Sequence, residues 1–444
     1  MKNVKTVTTN WKKGKFWEEE SLEVSSGGDV MHMLKVYPEP GSEVIEGFGG
    51  AFTEASAVNF SLLNDEAKDE FLEGYFGDSG LRYVLGRMHM NSCDFGLGNY
   101  AYVKEGDESL ESFDISHDRE QIIPLVKQAM ERAGRKDFGI LVSPWSPPAY
   151  MKTNGEMNHG GKLREEYWKL WADYYVRYLQ ELKKEGLPVR YLTVQNEPEA
   201  VQTWDSCIYT AREEGRFAAD FLAPALRAAG LEDIQIFIWD HNKENMYDRA
   251  RESFQVPGCR EAVSGVAMHW YTGDHFDSIR AVKRAFPEQR VFFTEGCVEY
   301  SRFGDSGEVQ KAEMYAHDML GNLKAGAEAW FDWNLLLDTQ GGPNHVENFC
   351  AAPVMCDGKG GIEKRLSYYY IGHFSRYIKP GARQAVASCY SRDLETAAFI
   401  NRDGTRTVAL INAAEKPVMV SLAEAGESVR FQVDAHEIRT VIYQ

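Results

Sequence analysis

No stretch of this 444-residue chain approaches the ~18 consecutive apolar residues of a membrane span, so insertion into a bilayer is not expected. The segment Met1 to Glu20 carries lysines but no apolar run of secretory-signal length, and the expectation is a cytoplasmic protein. No block of lysine or arginine offsets the net charge of −18, so the electrostatic footprint of a nucleic-acid binder is missing. An anionic membrane would repel such a surface. The seven cysteines are scattered, odd in number and free of CxxC spacing, which argues against a disulfide framework and for a reducing compartment. His241, His269 and His345 are candidates to gather with carboxylates at a barrel mouth, but neither HExxH nor a paired Cys/His spacing occurs, so no metal is expected. A G-x-S-x-G elbow and a Gly-rich phosphate fingerprint are absent too, which removes the serine hydrolases of that type and the nucleotide-binding sheets.

Aromatic residues are plentiful at 12%, a supply suited to stacking on flat ligand faces. The plainer account of most of them is core packing. In the segment Arg164–Lys184, Trp168, Trp171, Tyr175, Tyr178, Leu179 and Leu182 recur at helical spacing, with Gly186 ending the helix. That stripe reads as packing against the outside of a barrel.

From Val44 to about Ile378, short apolar runs alternate with amphipathic stretches of helical length, the signature of repeated βα units. Eight runs are readable: Val44–Phe52, Arg82–Met90, Phe138–Ser143, Val189–Gln195, Ile234–Trp239, Gly265–Trp270, Val291–Thr294 and Ala329–Asn334. The fold class is α/β, a closed (β/α)8 barrel. After Gly381 the pattern changes to short alternating strands split by turns such as Asn401-Arg402-Asp403-Gly404. The fragment Met31–Tyr37 resembles these strands. The expected domains are therefore 1–43, N-terminal strands joining a side β-sandwich; 44–380, the catalytic barrel; and 381–444, the C-terminal part of the sandwich, more a brace than a sugar-binding module.

In such a barrel the residue ending each strand faces a shared mouth, whatever its distance in sequence. Glu197, in Gln195-Asn196-Glu197-Pro198, would end the fourth strand, and Glu295, in Phe293-Thr294-Glu295-Gly296, the seventh. Two carboxylates so placed are the minimum for cleaving a glycosidic bond through a covalent sugar intermediate, which needs them about 5–5.5 Å apart. One must be protonated and the other ionised, so their surroundings must separate the two pKa values. Taken alone, Asn-Glu-Pro also reads as a strand-to-helix turn with a carboxylate near a helix N-terminus. Asn196 offers an amide to a sugar 2-hydroxyl, and Asp94, after the second strand, a carboxylate for two sugar hydroxyls. Trp145 follows the third strand, Asp240-His241-Asn242 the fifth, His269-Trp270-Tyr271 the sixth and Trp333-Asn334 the eighth. His269 on its own reads equally as a packed, hydrogen-bonded histidine. Together these ends supply the stacking faces and polar groups of a sugar pocket.

The ordered motifs Gly47-Phe48-Gly49-Gly50-Ala51-Phe52-Thr53, Ser92-Cys93-Asp94-Phe95, Ser143-Pro144-Trp145, Asn196-Glu197-Pro198, His269-Trp270-Tyr271, Glu295, Trp333-Asn334, Gly341-Gly342-Pro343-Asn344 and Gly372-His373-Phe374-Ser375 span nearly the whole chain. In them the sequence resembles glycoside hydrolase family 30, in the glucosylceramidase branch. The resemblance implies a barrel with a side sandwich built from both chain ends, retention of configuration, Glu197 as acid/base and Glu295 as nucleophile. It also implies a glycone subsite of Asp94, Trp145, Asn196 and Trp333, with Asn348 and Phe349 near the rim; His269 and Tyr271 are further substrate-binding candidates. No cofactor is implied. The expected substrate is a small β-glycoside or oligosaccharide with a terminal β-D-glucosyl group. Endo-β-1,6-glucanase, β-xylosidase and β-fucosidase activities stay open, because Glu199–Ser206 and Asn344–Phe349 depart from the lysosomal enzyme's loops. A reading from another class is a non-catalytic carbohydrate-binding barrel, which would be favoured had either strand-end glutamate been missing.

Overall fold

The computed structural model describes residues 1–26 and 32–444. Eight parallel strands close into a barrel: β1 Gly47–Ala51, β2 Leu85–Met90, β3 Gly139–Pro144, β4 Val189–Thr193, β5 Gln235–Asn242, β6 Gly265–His269, β7 Arg290–Glu295 and β8 Ala329–Asp332. Each pairs with its sequence neighbours, and β8 closes on β1. This is the architecture that the eight apolar runs predict. Strands buried on both faces read as continuous apolar runs because helices cover the outside.

The interior is layered, as period-two alternation requires. Leu85, Leu141, Tyr191, Phe237, Ala267, Phe292 and Ala329 fill one end as an apolar plug, with Phe237 and Phe292 stacked at 4.4 Å. Two residues further along three of these strands stand Arg87, Ser143 and Thr193, so polarity begins one layer above the plug. Outside, Trp168, Trp171, Tyr175, Tyr178, Leu179 and Leu182 of the helix Trp168–Lys184 are buried, and Gly186 (φ +80°) follows the last turn in the left-handed conformation.

A ten-stranded sheet curls over its own apolar face as the side β-sandwich. The N-terminal strands Lys5–Asn10, Lys15–Ser21 and His32–Val44 lie in it with Arg383–Cys389, Glu395–Ile400, Arg406–Asn412, Val418–Glu424, Glu427–Val433 and Glu437–Tyr443. Of the expected strand Met31–Tyr37, Met31 lies outside the described residues. The helix Leu366–Ser375 seams the two units: His373 hydrogen-bonds Thr9 and Thr440 of two sandwich strands, each at 2.9 Å. Among the described residues no helix is long and apolar enough to cross a membrane.

Candidate active site

Strand β5 runs three residues beyond its expected end at Trp239, and the reason is local. Opposite Ala267 and Met268 of β6 stand Trp239 and His241, so Asp240 is an extra residue on its strand. Opposite Met268 and His269 on the other side stand Phe293 and Glu295, which makes Thr294 extra as well. These two bulges flank β6 and turn side chains toward the axis that a regular pleat would alternate away. Trp239 (φ +75°) and Asp240 (φ +47°) are both left-handed, as is Glu197 (φ +46°), and such strain in non-glycine residues concentrates at functional sites.

Asp240 is the hub. Its carboxylate accepts from Arg87 Nη2 (2.9 Å), Thr193 Oγ1 (2.7 Å), Thr294 Oγ1 (2.6 Å) and His269 Nε2 (3.0 Å). Burial opposes its charge, but Arg87 and these donors hold it far below the usual carboxylate range. Arg87, fully buried on β2, divides its fork: Nη1 donates to Glu295, Nη2 to Asp240 and to Asn196 Oδ1 (2.8 Å), and Nε to Ser143 Oγ (3.2 Å). Because Arg87 takes the Asn196 oxygen, the Asn196 NH2 is left for a ligand.

Glu295 also accepts from the Tyr271 hydroxyl at 2.8 Å. Glu197 lies across the cavity. Its Oε1 is 3.2 Å from His269 Nδ1 and 3.5 Å from His241 Nδ1, and burial is outweighed by the two imidazoles, which hold the carboxyl well below its ordinary range. His269 bridges the pair, with Nε2 4.0 Å from Glu295 Oε2. Burial disfavours its charge, but Glu295, Asp240 and Glu197 raise it to about 9. The two glutamates thus flank one imidazole.

A cavity of about 650 Å³, its open mouth included, lies between the carboxylates, lined by Asp94, Trp145, Asn196, Glu197, Tyr271, Glu295, Trp333 and Asn348. Trp145 and Trp333 stack at 5.2 Å. Asp94 accepts from the amides of Asn344 (3.2 Å) and Asn348 (3.3 Å), and burial and Glu295 push its carboxyl up to about 8. His269 lies behind Glu197, outside the lining. Phe349 is half-buried, its carbonyl accepting from Tyr300 N (3.2 Å), and it does not line the cavity. Sequence reasoning missed Arg87, the hub role of Asp240, and the lining residues Gln202, Trp204, Cys297, Glu299 and Cys350. An available signal was a lone arginine inside the fully buried strand Leu85–Met90, since such a charge survives burial only when paired.

A (β/α)8 barrel that joins two strand-end glutamates in one buried network, beside a cavity walled by tryptophan and amides, is a glycosidase in its equipment. Residues 45–378 match the glycosyl hydrolase family 30 TIM-barrel domain and residues 383–441 the family 30 β-sandwich domain, and the chain belongs to glycoside hydrolase family 30. It is a glycoside hydrolase acting on β-glycosidic bonds. The chain is 32% identical to lysosomal acid glucosylceramidase of Mus musculus over 88% of its length and 79% of that protein's. It is 28% identical to endo-1,6-β-D-glucanase neg1 of Aspergillus fumigatus, over 86% and 80% of the two chains. Among solved structures, SrfJ from Salmonella typhimurium superposes with a TM-score of 0.96 at 37% identity, covering 100% of this chain and 99% of that one.

Proposed function

We propose that the protein is an exo-acting, retaining β-glycosidase of glucosylceramidase type, which removes terminal β-D-glucosyl groups with Glu295 as nucleophile and Glu197 as acid/base. The observation that carries this reading is the asymmetry of the two carboxylates. Glu295 is fixed by Arg87 and the Tyr271 hydroxyl, neither of which gives up a proton readily, whereas Glu197 meets only imidazoles. Glu295 attacks the anomeric carbon as the His269–Glu197 pair passes its proton through Glu197 to the leaving oxygen. Esterification removes the Glu295 charge. Glu197, now ionised and kept so by its imidazoles, takes a proton from water, whose oxygen attacks the same carbon and frees Glu295. The segment Asn344–Asn348 folds over Asp94, with His345 N donating to the Asp94 carbonyl at 3.1 Å, and so favours a blind glycone subsite.

A second reading, endo-β-1,6-glucanase, is favoured by a second hollow that shares Tyr271 and Glu299 with the first and continues to Trp270, Arg302 and Phe303, leaving room for more sugar units. The test is initial rates on aryl β-D-glucoside, xyloside, fucoside and galactoside and on β-1,6-linked gluco-oligosaccharides, with Glu295→Ala as the blank. The proposal expects fast glucoside turnover that the blank lacks, and in the blank azide restores activity with inverted product. Turnover confined to long oligosaccharides moves the assignment to the endo enzyme. Glu197→Ala is expected to slow substrates with poor leaving groups far more than activated aryl glycosides; equal losses on both would remove Glu197 from its role.

A further inference from the structure

His241 touches no reacting atom in the scheme above, yet it faces the acid/base. Its Nδ1 is buried without a hydrogen-bond partner among the described residues, 3.5 Å from Glu197 Oε1. A polar atom left so is costly unless something else occupies the space between. The chosen ligand atoms of Glu197, His241 and His269 all lie within 4.8 Å of one another. Two edges of that triangle measure 3.2 and 3.5 Å. An ion bound at about 2.0–2.1 Å by tetrahedral ligands separates them by roughly 3.3–3.4 Å, so these two edges already have the required length.

We propose that Glu197, His241 and His269 form a three-ligand site for a divalent transition-metal ion of the zinc class, whose binding blocks the acid/base. The donor set of two imidazoles and one carboxylate is one that zinc takes with an open fourth position. Asp240 supports it from behind: by accepting from His269 Nε2–H at 3.0 Å it fixes the ring so that Nδ1, once its proton is displaced by the ion, presents its lone pair beside Glu197, the carboxylate–histidine arrangement found behind metal-bound imidazoles. Glu197 and His241 line the cavity, so the fourth position opens toward solvent, where a water completes the shell. Glu295 and Glu299 line the same cavity and add negative charge that draws in a cation. The ion is an inhibitor here, because it occupies the lone pairs that Glu197 needs to give and take a proton.

The inference rests on the proposed glycosidase reading only for its effect on turnover; binding is read separately. Chelator-stripped protein is titrated with Co²⁺ as the spectroscopic probe, and Zn²⁺ is titrated against aryl β-glycoside hydrolysis. The expected result is the visible absorption of tetrahedral Co²⁺ in the wild type, displaced by Zn²⁺ and lost in His241→Phe and His241→Asn. Zn²⁺ is expected to inhibit competitively with substrate, to be reversed by chelator, and to bind about tenfold or more weakly to either variant. His317→Gln, which removes a half-exposed histidine far from these ligands in the chain, is expected to keep the inhibition unchanged. A wild type without tetrahedral Co²⁺ bands overturns the site, as does Zn²⁺ inhibition equal in wild type and His241 variants. Should no glycoside be turned over while the bands appear and depend on His241, the metal site stands and the glycosidase reading falls.

Discussion

Arg87 does at one residue what the site needs at three. Its guanidinium meets Glu295, Asp240 and Asn196 at once and lies 4.8 Å from the Trp145 ring. Arg87→Met would leave the buried carboxylates of Asp240 and Glu295 with His269 as their one shared counter-charge among the described residues, and a cost of about 3–5 kcal/mol in unfolding free energy is expected, with near loss of turnover. Arg87→Lys restores the charge but not the fork, so it should recover stability more than activity. Denaturant unfolding and kinetics on the same two variants check this, and wild-type activity in Arg87→Lys would show that the fork is dispensable. From sequence Arg87 shows only as a lone charge inside an apolar run, and its partners are not legible there. The sequence displays the ends of apolar runs, after which Glu197 and Glu295 stand, but a charge in mid-strand meets partners from the loop after β4 and from β5 and β7 only after the barrel closes.

At the scale of elements, the strands were readable because burial on both faces leaves unbroken apolar runs, and β4 and β6 begin where those runs do. The bulges were not. Adding Asp240 and Thr294 leaves the composition of β5 and β7 unchanged and alters only register, which is a relation between strands and not a property of either. The Asn344–Phe349 segment was likewise unreadable in detail, since whether Asn348 or Phe349 faces the cavity depends on how the loop lies over Asp94. Strand β1 gives a sharper test of closure. A Cβ on Gly49 would stand 2.1 Å from the Leu85 carbonyl oxygen, which is backbone and has no rotamer to change. Gly49→Ala is therefore expected to destabilise the barrel by roughly 1–3 kcal/mol or more, read as a lowered denaturant midpoint. An unchanged midpoint would mean that β1 and β2 do not approach as described.

For the whole molecule, the seam between barrel and sandwich is tuned by histidines of opposite sense. His373 is buried, and desolvation with the Arg376 and Arg439 charges brings it down to about 3, so it stays neutral between Thr9 and Thr440. Its ordinary value is 6.5, so between about pH 6.5 and 3 the unfolded chain takes up a proton that the native protein refuses. The contribution is complete above pH 6.5 and is lost as pH falls, by roughly 1.4 kcal/mol per pH unit. His317 is the reverse case. Hydrogen bonding to Glu395 on the sandwich raises it to about 9 against burial, with Asp274 on the barrel adding to the effect, so that contribution is whole below pH 6.5 and fades as pH rises through 9. Its partial exposure keeps it small. Unfolding stability is expected to peak near neutrality, and His373→Gln to flatten the acid arm; an acid arm of unchanged slope would remove His373 from the account. The interleaved sandwich also sets an order of assembly. Strand Lys5–Asn10 pairs with Glu437–Tyr443, almost the full chain away, so during synthesis the first strands wait with unpaired edges while the barrel between them is made. A ribosome stalled before Glu437 would hold a finished barrel with an open, sticky flank.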